Sequence, residues 1–285
     1  MRKHPLISTL LILISLVFFI PLWLLTVQAL IPINDAMLIS MYAEPLRLYI
    51  DKPVIEQFEQ LINKYTNISN VISRDVIWCI ASASIQVFIS VITGYILAKH
   101  RSHFSMRIVL LFTLTLVLPM QMFLIPVYRV TEWIGMAGNP IFMYMMRAFS
   151  PLGAILMRQI YIRMPDEYIE FFRLEDNRMS QLIYHIVFPI GIPVAGLLFL
   201  LSFVETWSMV EQPLILLPNK QQHPLSMILY ELRLKEPGFA YAASLYAFIP
   251  VGILLLMFLP LYIRYRLKVK PNNYINANIY SLINK

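Results

Sequence analysis

Charge is scarce in this sequence. Only 14% of its 285 residues are charged, whereas 59% are hydrophobic, and the mean hydropathy is +0.66. A soluble domain is close to half apolar and a quarter charged, so these values exclude an ordinary soluble protein. They predict a polytopic membrane protein with a single membrane domain over residues 1–285.

Cysteine and glycine are also scarce. The single cysteine, Cys79, excludes an internal disulfide and a cysteine metal cluster, and we interpret it as a small buried apolar residue. The eight glycines never form the G-x-x-x-x-G-K-[ST] phosphate loop, and the polar residues suggest no catalytic triad and no metal ligand set. We therefore expect no ATPase site, no other enzyme site, no metal and no cofactor in this chain.

Long apolar runs are what the sequence does contain. Residues 5–34 hold no Asp, Glu, Lys or Arg, and this run exceeds a signal-peptide core and is not followed by a cleavage site, so it predicts an uncleaved span. We expect Pro119 and Pro126 to break the third span. The six predicted spans cover about residues 6–30, 75–98, 107–128, 139–162, 181–204 and 240–263.

The loops between the spans differ in charge. Two polar stretches, about 31–74 and 205–239, are predicted to be extracytoplasmic, and residues 54–65 of the first could form a short amphipathic helix. Lys and Arg concentrate in the other loops and at both ends of the chain. Such a bias marks cytoplasmic segments, so the net charge of +7 indicates membrane topology and not nucleic-acid binding. Both termini are predicted to be cytoplasmic.

The loop at about 163–180, between the fourth and fifth spans, is unusually polar. Within it Tyr168, Phe171, Phe172 and Leu174 fall close to helical spacing, among alternating acidic and basic residues. This pattern predicts a short amphipathic helix. Its apolar face must bury against something, and outside the membrane that is another protein.

The order of residues in this loop resembles the EAA loop of bacterial ABC-importer permeases. The resemblance rests on the acid Glu170, the following Arg173, and Pro189 at the end of Ile186-Val187-Phe188-Pro189. In that family the loop is the coupling helix that docks into a cleft of the ATPase subunit. This sequence departs from the family pattern at four positions, with phenylalanines in place of two alanines, aspartate in place of glycine and phenylalanine in place of leucine: Phe171, Phe172, Asp176 and Phe188. The added bulk leads us to expect a dedicated ATPase partner.

Further motifs narrow the resemblance to carbohydrate-importer permeases, the subfamily that includes the smaller subunit of the maltose permease. The end of the second span, Gly94-Tyr95-Ile96-Leu97-Ala98-Lys99, resembles that family's A-Y-A-L-A-R. Leu118-Pro119 with Ile125-Pro126-Val127-Tyr128 resembles its L-P-x-x-x-x-x-I-P-L-Y, and Leu156-Met157-Arg158-Gln159 resembles its L-L-R-Q. The resemblance covers roughly residues 5–265.

This resemblance implies a MetI-like, all-α transmembrane fold with a cytoplasmic coupling helix. It implies a second homologous permease, two ABC ATPase subunits that hold ATP and Mg, and an extracytoplasmic substrate-binding protein. It also implies that the chain lies in the lipid bilayer of a bacterial inner membrane. The implied function is inward movement of a sugar or oligosaccharide by ATP-driven alternating access.

Candidate site residues fall into three groups. The first group, for coupling to the ATPase, is Glu170, Phe171, Phe172, Arg173, Leu174, Glu175 and Asp176. The second, for the substrate path, is Arg147, Tyr144 and Ser150. An arginine inside a span needs a polar partner, either an anionic or strongly hydroxylated substrate or a carboxylate of the other permease, unless its helix is set nearer the outer surface. The third, for contact with the binding protein, is Trp207, Glu211 and His223 of the second outer loop.

Three alternatives remain open, and one of them, a permease for amino acids, peptides or ions, lies within the same importer family. A secondary transporter that works alone would need carboxylates inside the membrane, yet Glu132, Glu205 and Glu211 are placed at the outer edges of the spans, and no internal repeat is visible. A degenerate permease paralogue that does not transport is kept open by the altered coupling loop.

Overall fold

The computed structural model describes residues 5–42, 45–50, 53–65, 67–100, 102–167 and 179–268. Within these ranges the regular secondary structure is helical. The α-helices are α1 Pro5–Ala29, α2 Ile33–Tyr42, α3 Glu56–Lys64, α4 Ile68–Lys99, α5 His103–Val117, α6 Gln121–Trp133, α7 Pro140–Met145, α8 Pro151–Ile162, α9 Met179–Leu182, α10 Phe188–Trp207, α11 Glu211–Leu216, α12 Leu225–Lys235 and α13 Pro237–Lys268.

Several of these helices are long and apolar enough to cross a membrane. In the described part of the chain five stretches qualify: Ile12–Ala29, Ile68–Lys99, Pro140–Ile162, Phe188–Trp207 and Pro237–Pro260. A sixth is reached if α5 and α6 count as one span with a bend of 107°. The prediction of an all-α polytopic membrane protein is confirmed.

The predicted third span, about 107–128, is two helices in the structure. α5 ends at Val117, and Leu118 has an extended backbone with φ −78° and ψ 131°. The ring of Pro119 disfavours a helical conformation at the residue before it, which explains the break at this point. Pro126 lies inside α6 and does not end it. The sequence correctly located the interruption at Pro119 and overestimated the effect of Pro126.

Short helices occupy the two loops predicted to be extracytoplasmic. α3 coincides with the amphipathic helix expected within 54–65, and it buries Gln57 and Leu61 on one side. α11 and α12 lie within the second loop. The short turn between α6 and α7 contains Gly135 and Gly138 with φ of 70° and 77°, a left-handed conformation that suits glycine.

Two compact units make up the chain, one from the described parts of 1–75 and 223–250, the other from those of 76–222 and 251–285. In the first unit the amide of Gln57, whose side chain is fully buried, donates to the carbonyls of Gln28 and Ile31 at 2.8 and 2.9 Å. The last carbonyls of a helix lack partners within it, so Gln57 satisfies groups at the end of α1. Arg47 pairs with Asp35 at 2.6 Å in the same unit.

The second unit has two clusters of buried apolar residues. One joins α4 and α8 to the start of α10 and includes Val91, Tyr95, Met157, Tyr161 and Val187. The other includes Cys79, which is 1% exposed as the sequence predicted. The first cluster lies beside the loop that the sequence singled out.

Candidate functional site

Close packing of α4 on α8 forms the base of the candidate site. At Gly94 an added Cβ would lie 2.5 Å from Cβ of Met157 and 2.8 Å from the backbone nitrogen of Arg158. The rings of Tyr95 and Tyr161 meet edge to face with centroids 5.8 Å apart. A glycine at this position lets the two backbones approach, which is how small residues act at membrane-helix interfaces.

Lys99, the last residue of α4, contacts the segment that leads into the polar loop. Its Nζ donates to the carbonyl oxygen of Met164 and to Oδ1 of Asp166, both at 2.5 Å. The Lys99 side chain is 11% exposed, whereas Asp166 is 55% exposed. One ammonium therefore fixes both the backbone and a carboxylate at the start of the loop.

The carbonyl of Leu97, two residues before Lys99, is a second attachment point. It accepts from Nε of Arg158 at 3.3 Å and from Oγ of Ser105 at 3.1 Å. The last carbonyls of α4 lack partners within the helix, and these side chains supply some. The end of α4 is thus bonded to α5, to α8 and to the start of the loop.

The segment that follows the loop is bonded to α8 as well. The buried hydroxyl of Tyr161 donates to the carbonyl of Val187 at 2.9 Å. Val187 ends a π-helical turn, Ile183–Val187, that precedes α10, and Pro189 follows at once. Such wide turns are rare and often occur at functional sites. The start of the loop and the segment that follows it therefore both meet residues of the α4–α8 pair.

The predicted coupling residues lie outside the described residues. They are Glu170, Phe171, Phe172, Arg173, Leu174, Glu175 and Asp176, and the structure describes the chain up to Glu167 and again from Met179. Their role stays a prediction. The structure does describe the residues on either side of them, up to Glu167 and from Met179.

Arg147 finds a carboxylate in its own chain. It lies in a 3₁₀ turn, Met146–Ala148, and its Nη2 donates to Oε2 of Glu205 at 2.7 Å. Arg147 is 18% exposed and Glu205 is 53% exposed. Sequence reasoning placed Glu205 in the outer loop because it ended the fifth span at about residue 204, but α10 continues to Trp207. The sequence predicted a substrate or another subunit as the partner of Arg147, and the structure adds Glu205 of the same chain.

The other two substrate-path candidates have structural contacts. Tyr144 is 4% exposed, stacks on Trp78 with centroids 5.9 Å apart, and accepts a bond from Ser82 through its carbonyl. Ser150 is the N-cap of α8, where its Oγ accepts from the backbone nitrogen of Gly153 at 3.2 Å. Contact of either residue with substrate stays a prediction.

The three candidates for binding-protein contact differ in exposure. In the second unit, Trp207 is half-buried against Phe203, and the exposed Glu211 accepts from Nε2 of Gln121 at 2.8 and 3.0 Å. In the first unit, His223 is 7% exposed, and its Nδ1 lies 3.8 Å from Oε1 of Glu231. Glu211 therefore offers more surface to a partner than His223 does, and the proposed contact stays a prediction.

Sequence reasoning missed Lys99, Tyr161 and Glu205 as members of the site. Lys99 is the last residue of the Gly94–Lys99 motif, and that motif could have identified it as a candidate site residue. Tyr161 follows the L-L-R-Q-like motif, and no spacing rule links it to a carbonyl 26 residues later.

Comparison with known proteins finds transport-system permeases among the relatives of this chain. No protein-family model matches the chain. The chain is 23% identical over 256 residues to the arabinooligosaccharides transport system permease protein AraQ of Bacillus subtilis, covering 86% of this chain and 87% of that one. It is 22% identical over 130 residues to the sn-glycerol-3-phosphate transport system permease protein UgpE of Agrobacterium fabrum, which covers 46% of each chain.

A solved structure shows the same architecture. A chain of a bacterial ABC transporter involved in import of the acidic polysaccharide alginate matches with a TM-score of 0.70 and 15% identity, over 92% of this chain and 98% of that one. The MetI-like, all-α permease fold expected from the sequence is confirmed.

Proposed function

We infer that this chain is a membrane-spanning permease subunit of an ABC importer of the carbohydrate type. The main support for this inference is the extent of the match to a permease, which spans 86% of this chain and 87% of the relative. The correspondence therefore includes the whole architecture and not one motif. The fold agrees over 92% of the chain. Permease subunits move solutes and are not themselves enzymes.

The proposed mechanism is alternating access driven by a partner. ATP and Mg bind to two ABC ATPase subunits, and closure of that pair moves the loop between α8 and α10. The loop begins beside Lys99, and the turn that follows it is bonded to Tyr161 through Val187, so loop movement is proposed to reach α4, α8 and α10 through these bonds. These helices then change which side of the membrane the path faces.

The proposed assembly has four further subunits. They are a second, homologous permease, the two ATPases and an extracytoplasmic binding protein that delivers substrate. The cell is bacterial, the membrane is the inner one, and both termini lie in the cytoplasm. Support for this orientation is the concentration of Lys and Arg in the segments placed inside.

The proposed substrate is a sugar or oligosaccharide. The match to the arabinooligosaccharide permease supports this class, whereas the match to the glycerol-3-phosphate permease supports an anionic substrate. An acidic sugar is the second candidate, because Arg147 lies at 18% exposure in a membrane segment and the matching solved structure belongs to an importer of an acidic polysaccharide. Glu205 offsets the charge of Arg147, which favours the uncharged class.

The experiment that tests the class is purification of the tagged chain from its native cell in mild detergent, with and without cross-linking, followed by mass spectrometry. We expect a second permease and an ABC ATPase to be recovered with it. Recovery of the chain alone under both conditions would contradict the proposal and favour a lone secondary transporter or a degenerate paralogue.

The substrate is tested by reconstituting the recovered complex in liposomes with its binding protein. ATP-dependent uptake is measured for labelled arabinotriose, glycerol 3-phosphate and an alginate trisaccharide. Uptake of arabinotriose alone supports the uncharged class, and uptake of glycerol 3-phosphate or of the alginate trisaccharide supports an anionic substrate. No ATP-dependent uptake of any of the three would contradict the transport function.

The coupling role of Glu170 has its own test. We expect Glu170→Ala to insert in the membrane at wild-type levels and to lose uptake, because the acid is proposed to meet a basic residue of the ATPase. An intrahelical pair with Arg173 alone is worth only about 0.2–0.5 kcal/mol, so normal uptake by the variant would reduce Glu170 to that minor role.

A further inference from the structure

The contacts of Lys99 are unusual for a lysine at the end of a membrane helix. Such a lysine usually extends its ammonium towards water or headgroups, and at a helix C-terminus it also interacts favourably with the helix dipole. Here the side chain is 11% exposed, and Nζ is directed at the carbonyl of Met164 and the carboxylate of Asp166. The geometry assigns the ammonium to the loop rather than to solvent.

The segment bonded by Lys99 has little freedom of its own. Backbone bonds extend α8 through Arg163 and Met164, whose nitrogens donate to Ile160 and Tyr161 at 3.1 and 3.3 Å. Met164 is 5% exposed, and Pro165 follows with a fixed φ. A rigid segment transmits displacement, whereas a flexible one would absorb it.

The bonds of Lys99 also join elements that the backbone does not connect closely. Lys99 and Asp166 are 67 residues apart in sequence, and Leu97 beside Lys99 accepts from Arg158 of α8. Without the ammonium, α4 would lose its hydrogen bond to the carbonyl of Met164 and its ion pair with Asp166.

We propose that Lys99 is a positioning residue that clamps the first residues of the coupling loop to α4, so that loop movement is passed to α4 together with α8. This rests on the proposed function, since it assigns a task to a residue of the same importer. Loss of the clamp lets the ATPase turn over while the helices follow incompletely. The signature is more ATP hydrolysed per sugar transported.

The test uses the complete complex in liposomes, with the panel sugar that gave uptake. Lys99→Met keeps the apolar stem and removes the charge. We expect its ratio of ATP hydrolysed to sugar transported to rise by about three- to tenfold, the size expected when a charge-assisted bond with one partly exposed partner is lost. Lys99→Arg retains a donor for both oxygens and is expected to restore the ratio to within about twofold of wild type.

Two further variants separate a clamp from a general effect of charge or stability. Arg107→Met removes an exposed basic residue of α5 and should leave the ratio unchanged. Asp166→Asn weakens the same link from an exposed position, so it tests the clamp even if Lys99→Met fails to fold. In the double variant Lys99→Met with Asp166→Asn, the ratio of ATP hydrolysed to sugar transported should be no higher than in Lys99→Met. The reason is that both substitutions act on the same contact between Lys99 and Asp166.

The outcomes are distinct. A wild-type ratio in both Lys99→Met and Asp166→Asn would overturn the clamp while leaving the importer function intact. A rise of equal size in Arg107→Met would overturn it too, because charge in this region alone would then suffice. Failure of the wild-type complex to take up any substrate of the panel contradicts the proposed function. It also contradicts the proposed role of Lys99, which rests on that function.

Discussion

Single residues set how closely α4 and α8 approach. At Gly94 of α4 no side chain fits, because the neighbours across the interface are the Cβ of Met157 and the backbone of Arg158. Neither atom belongs to the flexible end of a side chain. An added methyl group therefore has to separate the helices.

We predict that Gly94→Ala destabilises the protein by about 1–3 kcal/mol, the usual effect of overpacking. The measurement is the temperature at which detergent-solubilised protein disappears from the monodisperse peak in size-exclusion chromatography. Gly252→Ala is the matched control, since a Cβ at Gly252 of α13 meets nothing within 4 Å of the chain. Equal loss in both variants would mean that the contact at Gly94 is unimportant.

The ion pair of Arg147 and Glu205 gives a second prediction at this scale. Glu205→Gln leaves the less exposed partner, Arg147, without its counter-charge, whereas Arg147→Gln leaves a carboxylate that is 53% exposed. We therefore expect Glu205→Gln to lower the yield of folded protein more, with a cost of about 1–3 kcal/mol for a charged hydrogen bond. The double variant should recover part of that loss. Equal yields for both single variants would contradict the asymmetry.

At the scale of elements, the π-helical turn before α10 depends on a small residue and a tyrosine. A Cβ at Gly191 would collide with Oη of Tyr161 and lie 2.8 Å from Cε of Met157. The absence of a side chain lets the Tyr161 hydroxyl reach the carbonyl of Val187 at 2.9 Å. The start of α10 is thereby held to α8.

We predict that Tyr161→Phe costs about 1 kcal/mol, the net worth of one hydrogen bond. Gly191→Ala should cost more, because the ring of Tyr161 is rigid and buried. In the double variant the colliding oxygen is absent, so the two effects should combine to less than their sum. Thermal stability in detergent measures all three, and simple additivity would show that the two residues do not act on one contact.

At the scale of the whole molecule, the distribution of Lys and Arg predicts which way the chain lies in the membrane. The single cysteine is 1% exposed, so the protein is already suited to labelling at introduced cysteines. Exposed positions for this purpose are Glu59 of α3 and Arg107 of α5.

We predict that a membrane-impermeant thiol reagent labels Glu59→Cys in intact spheroplasts. Arg107→Cys should react only after permeabilisation, because the basic loop is placed inside. The parent protein with Cys79 alone is the control and should stay unlabelled. The reverse pattern of labelling would invert the topology and place the coupling loop on the wrong side for an ATPase.

The sequence by itself determined the class of protein and the elements within it. Apolar runs of sufficient length form spanning helices because the bilayer offers the backbone no other hydrogen-bond partners. That rule is local, so the all-α membrane class, the short helix within 54–65 and the break at Pro119 followed from composition and residue type. The motif order added the permease fold, which the structural match confirmed.

Only the tertiary structure decided which side chains meet. A membrane helix is apolar on most of its surface, so its pattern does not reveal the face that packs inward. The pair Arg147–Glu205 spans 58 residues, and the pair Lys99–Asp166 spans 67. Such contacts depend on the approach of α4 and α8 and on where α10 ends, and packing between helices sets both.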